Sequence, residues 1–137
     1  MTFAVEKINR VRLALDERAA KLPGSDSLRA QLQTATQQVD ELRKRIVATK
    51  EGGAITGEER LREYLTNLYG DVVFYEGRPS NTQIERADAL SRSLADVVKD
   101  FDGWAAKNLN QINSALSGKQ LEQIKLLTRE EWEKANE

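Results

Sequence analysis

Apolar residues recur at helical spacing through almost every long segment of this chain, and this periodicity restricts the fold more than any other feature. Steps of three and four residues place the apolar positions of the first segment on one helical face. These positions are Ala4, Ile8, Val11, Leu15, Ala19 and Leu22. The sequence Pro23-Gly24-Ser25-Asp26 follows. It predicts the end of the helix, because both proline and glycine destabilise a helix that continues through them.

The second segment carries a heptad stripe. Its members are Leu28, Leu32, Ala35, Val39, Leu42 and Ile46. Such a stripe favours packing inside an antiparallel hairpin, and the alternative is a coiled-coil contact between two copies of the chain. Two glycines in the linker Glu51-Gly52-Gly53-Ala54 end the segment, so the first predicted hairpin covers about residues 3–50.

Two further stripes predict a second hairpin over about residues 57–117. The shorter stripe is Leu61, Leu65, Leu68, Val72 and Tyr75, and the longer one is Ile84, Ala87, Leu90, Leu94, Val97, Phe101, Trp104, Asn108, Ile112 and Leu116. Capping boxes, in which a hydroxyl and a nearby Glu or Gln satisfy helix-start N–H groups, are predicted at Thr56, Ser80 and Thr128. The box at Thr128 begins a short terminal helix over about residues 128–135, whose Trp132 is expected to fold back onto the bundle.

Together these patterns predict one all-α domain over residues 1–137. Short connections favour antiparallel neighbours, so the expected architecture is an up-down antiparallel four-helix bundle with a short C-terminal helix. Leu94, Phe101 and Trp104 are the expected core of the longest helix. Gly70 and Gly103 interrupt helical stripes, and each costs about 1 kcal/mol relative to alanine.

The chain has no histidine and no cysteine, which removes the usual general base, the usual nucleophile and the best metal ligands. Three carboxylate pairs have a spacing that could serve acid–base chemistry, but helix capping and solvation explain them better. They are Glu58/Glu59, Asp96/Asp100 and Glu130/Glu131. The sequence therefore predicts no catalytic, cofactor-binding or metal-binding residue, no cofactor and no enzymatic activity in this chain.

Charge is distributed unequally although the net charge is only −1. Residues 1–50 hold 10 basic and 6 acidic side chains, whereas residues 51–137 hold 11 basic and 16 acidic ones. This asymmetry predicts either attraction between the two hairpins or a basic docking face on the first. The Arg43-Lys44-Arg45 cluster lacks accompanying aromatic residues, so nucleic acid is not an expected partner.

No apolar run approaches the ~20 residues of a membrane-spanning helix. The N-terminal residues lack the pattern that is typical of a signal peptide.

The turn after the third stripe is the best candidate for an interaction surface. The run Val72-Val73-Phe74-Tyr75 is apolar on more than one helical face, which indicates either burial against several neighbours or a contact patch. Gly77 is expected to end the helix in a left-handed conformation. Arg78 is not needed by this turn, so Phe74, Tyr75 and Arg78 are the candidate residues for contact with a partner or a sugar. The alternative, which the pattern favours, is tight packing of the turn against the adjoining helix end.

The same turn, Tyr75, Gly77, Arg78 and Pro79, also carries a family resemblance. Together with Gln83 and the later Leu109, Asn113 and Leu116, it makes residues 55–116 resemble a helical region found after the β-propeller of bacterial BNR-repeat, sialidase-like proteins. Some of these proteins are described as glycosyl hydrolases or as sortilin-like. Residues 1–50 are similar to the preceding helices of that region, so the resemblance covers nearly the whole chain.

This resemblance implies a non-catalytic accessory domain at the end of a larger exported protein, whose partner is the adjoining propeller. Any family chemistry would lie in the propeller and its Asp-box repeats, and no Asp box occurs here. If the chain is part of such an exported protein, its expected location is extracellular or periplasmic. The alternative is a free-standing cytoplasmic helical adaptor that forms homo-oligomers through the heptad stripe.

Overall fold

The computed structural model describes residues 1–49 and 59–137, and the regular structure within these ranges is helical. The helices are α1 (Thr2–Ala20), α2 (Ser27–Lys44), α3 (Leu61–Val73), α4 (Asn81–Gly118) and α5 (Arg129–Ala135). No β-strand occurs among the described residues. The all-α class is therefore confirmed. The Gly52-Gly53 linker and the capping box at Thr56 lie outside the described residues.

Helices α1 and α2 form the predicted first hairpin. Asp26 begins α2, because its carboxylate accepts a hydrogen bond from the N–H of Leu28 at 2.9 Å. The two apolar stripes face each other and are almost completely buried. The largest fully buried side chains on these two helices are Ile8, Val11, Leu15, Leu32 and Val39.

The C-terminal half of α4 completes the core, and Gly103 does not interrupt this helix of 38 residues. Phe101 is 1% exposed, and the half-buried Trp104 donates its indole N–H to Gln38 of α2 at 2.9 Å. Leu94 is half-buried against the same cluster. The core positions predicted for this helix are therefore confirmed. By contrast, no residue of α4 before Val97 is buried.

Ion pairs between the helices show their relative directions. Lys7 near the start of α1 pairs with Asp102 at 2.8 Å, while Lys119 at the end of α4 pairs with Asp26 at 2.9 Å. The C-terminal half of α4 therefore runs parallel to α1 and antiparallel to α2. Lys7–Asp102 joins a cation of the first half of the chain to an anion of the second, whereas Lys119–Asp26 has the opposite sense. Attraction between a basic first half and an acidic second half therefore stays a prediction.

Helix α3 begins at the end of this core, where the N–H of Arg62 donates to the carbonyl of Ile46 at 2.9 Å. From there it packs along the N-terminal half of α4, and Leu68 is its one buried residue. A capping box formed by Ser80 and Gln83 begins α4, as predicted. Residues 61–93, named here the distal hairpin, consequently extend beyond the three-helix core.

The segment between α4 and α5 returns along α1 without regular structure. The amide side chain of Asn113 makes two hydrogen bonds to the backbone of Ile124, and Arg18 donates to the carbonyl of Glu122. The capping box at Thr128 then begins α5. Trp132 folds back as expected and donates its indole N–H to Glu6 at 2.8 Å.

The arrangement of four full helices side by side is not confirmed. Three helical segments surround the core, whereas α3 packs mainly against the part of α4 outside it. The single long helix α4 thus supplies residues 81–93 to the distal hairpin and its remaining, longer part to the core side.

Candidate docking surface

Exposed apolar side chains are concentrated on the distal hairpin. Seven large hydrophobic residues are exposed in the described part of the chain, and six of them belong to this hairpin or its turn. The six are Leu65, Tyr69, Val73, Phe74, Tyr75 and Ile84. The seventh, Leu13, lies alone on α1. Scattered exposed hydrophobes are ordinary, but a clustered set indicates a contact surface.

Phe74 occupies the tip of the hairpin, where it ends α3 in a right-handed conformation with φ −84° and ψ −1°. Its side chain is 90% exposed, more than that of any other large hydrophobic residue described. The neighbouring Tyr75 is 66% exposed. Burial of either ring against a partner would remove apolar surface from water, at about 25 cal/mol per Å².

The expectation for Gly77 is wrong, because its φ lies outside the left-handed region. Its N–H instead donates to the carbonyl of Tyr75 at 3.0 Å, which closes a tight turn. A Cβ on Gly77 would lie 2.6 Å from Cε1 of Tyr75. A side chain at this position would therefore displace the exposed ring of Tyr75, and backbone handedness does not require glycine here.

Arg78 lies on the same turn and is exposed. It makes no hydrogen bond, ion pair or ring contact with any residue in the described ranges. The structure thus places Phe74, Tyr75 and Arg78 at a single exposed turn. It does not show that they bind a partner, which stays a prediction.

Sequence reasoning missed the side of α3 that continues from this turn. Tyr69 and Val73 are 69% and 54% exposed, and Leu65, assigned to the buried stripe, is 40% exposed. The run Val72-Val73-Phe74-Tyr75 was the available signal, because a helix that is apolar on two faces cannot cover both with one neighbour.

Two hollows lie next to each other along this exposed side. The first, about 480 Å³, lies between the starts of α1 and α3 and includes Met1, Val5 and Leu65 in its lining. The second follows α3 from Thr66 past Gly70 to Phe74. Thr66 lines both hollows, so they are adjacent along α3, and the two together are named here the α3 furrow.

Three of the candidate acid–base residues make ion pairs or helix-capping hydrogen bonds. Asp100 pairs with Arg45 at 2.6 Å, and Glu130 pairs with Lys134 at 2.7 Å. Glu131 accepts from the backbone N–H and hydroxyl of Thr128, and these hydrogen bonds lower its pKa. A general acid needs a raised pKa instead. Glu58 lies outside the described residues.

The basic cluster at the end of α2 is occupied by ion pairs. Arg43 and Lys44 both contact Asp40, at 2.9 and 3.1 Å. Burial raises the pKa of Asp40, but the hydrogen bonds from these two cations lower it further, so the net shift is downward. Because the adjacent Arg45 pairs with Asp100, the cluster does not present three unpaired cations.

The heptad stripe of α2 is not available for oligomerisation in this structure. Leu32 and Val39 are completely buried, and Leu28 and Ala35 are each 5% exposed. Because this stripe packs against α1 and α4, a coiled-coil contact through it would require the core to open.

Among the described residues, no group of three potential ligands could hold a metal ion. None of the described helices is both long and apolar enough to cross a membrane. No protein-family model, curated protein or solved structure matches this chain.

Proposed function

We propose that this chain is a non-catalytic helical interaction domain that docks through the tip of its distal hairpin. One observation carries the proposal. Six of the seven exposed large hydrophobic residues in the described ranges lie on this hairpin, outside the core that gives the chain its stability. Arg78, without a partner among the described residues, adds a cation that can pair with a carboxylate on the docking partner.

The proposed partner is an adjoining propeller of a larger exported protein, as the resemblance of residues 55–116 implies. The location of the domain would then be extracellular or periplasmic. The proposed architecture is an antiparallel helical bundle in which the α3–α4 pair is displaced along the axis from the α1–α2 pair. Such a displacement leaves the tip free to reach a neighbouring domain.

The coding sequence upstream of this chain provides the first test. The proposal expects a secretion signal and a run of propeller repeats in the same reading frame. If the chain is instead free-standing and lacks both, the exported-protein proposal fails and the cytoplasmic adaptor is favoured.

Binding measurements test the surface itself. Isothermal titration calorimetry would measure affinity between this chain and the remainder of the parent protein, produced as a separate polypeptide. Phe74→Ala should weaken binding by about tenfold or more, because interface anchors of this type cost over 1.4 kcal/mol when truncated. Leu13→Ala removes an exposed hydrophobic side chain elsewhere, on α1, and should leave the affinity unchanged. Equal effects of the two variants would refute docking through the tip.

A further inference from the structure

Helix α5 is held against the start of α1 by a small aromatic cluster. Phe3 and Trp132 contact each other edge to face, with ring centroids 5.8 Å apart. The guanidinium carbon of Arg129 lies 5.2 Å from the ring centroid of Phe3 and 5.9 Å from that of Trp132. Glu6 accepts the indole N–H of Trp132 at 2.8 Å. Among the described residues, no other hydrogen bond or ion pair joins α5 to an earlier helix.

The core gives α5 no further hold. None of its seven residues is buried, whereas Leu127, directly before the capping residue Thr128, is 5% exposed. The chain is therefore anchored in the core as far as Leu127, and beyond it the aromatic cluster provides the attachment. A pivot at Thr128 lets α5 move without disturbing any buried side chain.

The length of α5 decides what happens to it once it is detached. Helices shorter than about 12–15 residues are marginal in water, and helices in proteins are stabilised mainly by packing. The two ion pairs within α5 join exposed side chains, so they add little to its stability. The helical structure of α5 and its attachment to Phe3 should therefore form together and be lost together.

We propose that α5 is a conformational device that closes on the start of α1 as a helix and opens as an unstructured segment while the core stays folded. In the closed state the rings of Phe3 and Trp132 partly cover each other. In the open state both rings face solvent, and Glu6 loses the indole donor. Opening thus presents aromatic surface that the closed state covers. This inference does not depend on docking through the tip of the distal hairpin.

Amide hydrogen exchange of the folded chain, followed by NMR, tests the proposal, because exchange through a local opening reports how often that opening occurs. The N–H of Trp132, which donates to the carbonyl of Thr128 at 3.1 Å, reports on α5, and the N–H of the buried Val39 reports on the core. Trp132 should exchange at least about 100-fold faster than Val39, yet at least about tenfold slower than an unfolded chain. Equal rates would make α5 part of the core, and an unprotected Trp132 would mean that α5 is never closed. Either result would overturn the proposal.

Phe3→Ala separates the attachment from the helix itself, because it changes α1 and leaves every residue of α5 unaltered. This variant should speed the exchange of the Trp132 amide about tenfold and leave that of Val39 unchanged. Leu13→Ala, which removes an exposed side chain elsewhere on the same helix, should change neither rate. If Phe3→Ala leaves the Trp132 rate unchanged, α5 is stable without its attachment and the proposal fails. An equal acceleration at Trp132 and Val39 would place Phe3 in the core and would also contradict it.

Discussion

Asn113 holds a segment that has no regular structure of its own. Its side-chain amide donates to the carbonyl of Ile124 at 3.0 Å and accepts from the N–H of the same residue at 2.7 Å. Ile124 is 4% exposed, so water cannot readily replace these bonds. Asn113→Leu should lower the free energy of unfolding by about 1–3 kcal/mol, because two buried backbone groups lose their partners. Urea denaturation measures this loss.

Asn110 provides the matched control, since it is an exposed asparagine on the same helix. Asn110→Leu should change stability by no more than about 0.5 kcal/mol. If both variants unfold at the same urea concentration, the two hydrogen bonds of Asn113 contribute nothing measurable.

The fold tolerates Gly103 within α4 but does not require a glycine at this position. It lies within α4, and a Cβ at this position would meet no atom within 4 Å. Gly103→Ala should therefore raise the free energy of unfolding by about 0.5–1 kcal/mol, because alanine restricts the unfolded chain and favours the helix. A decrease in the free energy of unfolding, measured by thermal or urea denaturation, would show that the glycine has a structural role in the chain.

At the scale of the helices, periodicity predicted which faces are apolar but not which of them are covered. The stripes of α1 and α2 are buried as expected, whereas Leu65 and Tyr75 in the third stripe are 40% and 66% exposed. The buried stripes and the exposed stripe have the same spacing of apolar residues. This spacing is a property of one helix, whereas burial also depends on the neighbouring helices. The position of Phe74, Tyr75 and Arg78 at a turn was predictable from Pro79 and the capping box at Ser80. The α3 furrow was not predictable, because residues at the start of α1 also form part of its lining.

Asp26 joins two elements, because it caps α2 and pairs with Lys119 after α4. The hydrogen bond from Lys119 and that from the N–H of Leu28 lower its pKa below the ordinary value. A carboxylate with a lowered folded-state pKa stabilises the fold above its unfolded pKa of about 3.9. This contribution is lost as the pH falls through the lower, folded-state pKa.

Asp26→Asn separates these two roles, because asparagine is also a good helix cap but carries no charge. The variant should be less stable at neutral pH and should lose less stability on acidification below about pH 4. Melting temperatures measured against pH would show this. Asp16→Asn, at an exposed position of α1, should keep the profile of the unaltered chain. Identical profiles for all three proteins would contradict the role given to Lys119.

At the scale of the whole molecule, the all-α class was predictable and the path of the chain was not. Stripes do not specify helix direction, so α4 parallel to α1 could not be distinguished from an up-and-down order. Nor did the sequence predict the burial of Ile124 and Leu127, which lie in a segment without helical periodicity. The placement of this segment depends on Asn113 and on Arg18 of α1, whose side chains hydrogen-bond the backbone of Ile124 and Glu122.

The central claim is that the core provides stability while the tip of the distal hairpin provides a contact surface. Two phenylalanines test it in one measurement, since Phe101 is 1% exposed and Phe74 is 90% exposed. Urea unfolding at a concentration that keeps the chain monomeric should show a loss of about 3–5 kcal/mol for Phe101→Ala, because a cavity replaces a buried ring. Phe74→Ala should change the free energy of unfolding by no more than about 0.5 kcal/mol. Similar losses for both variants would mean that the tip is part of the core and would contradict the account.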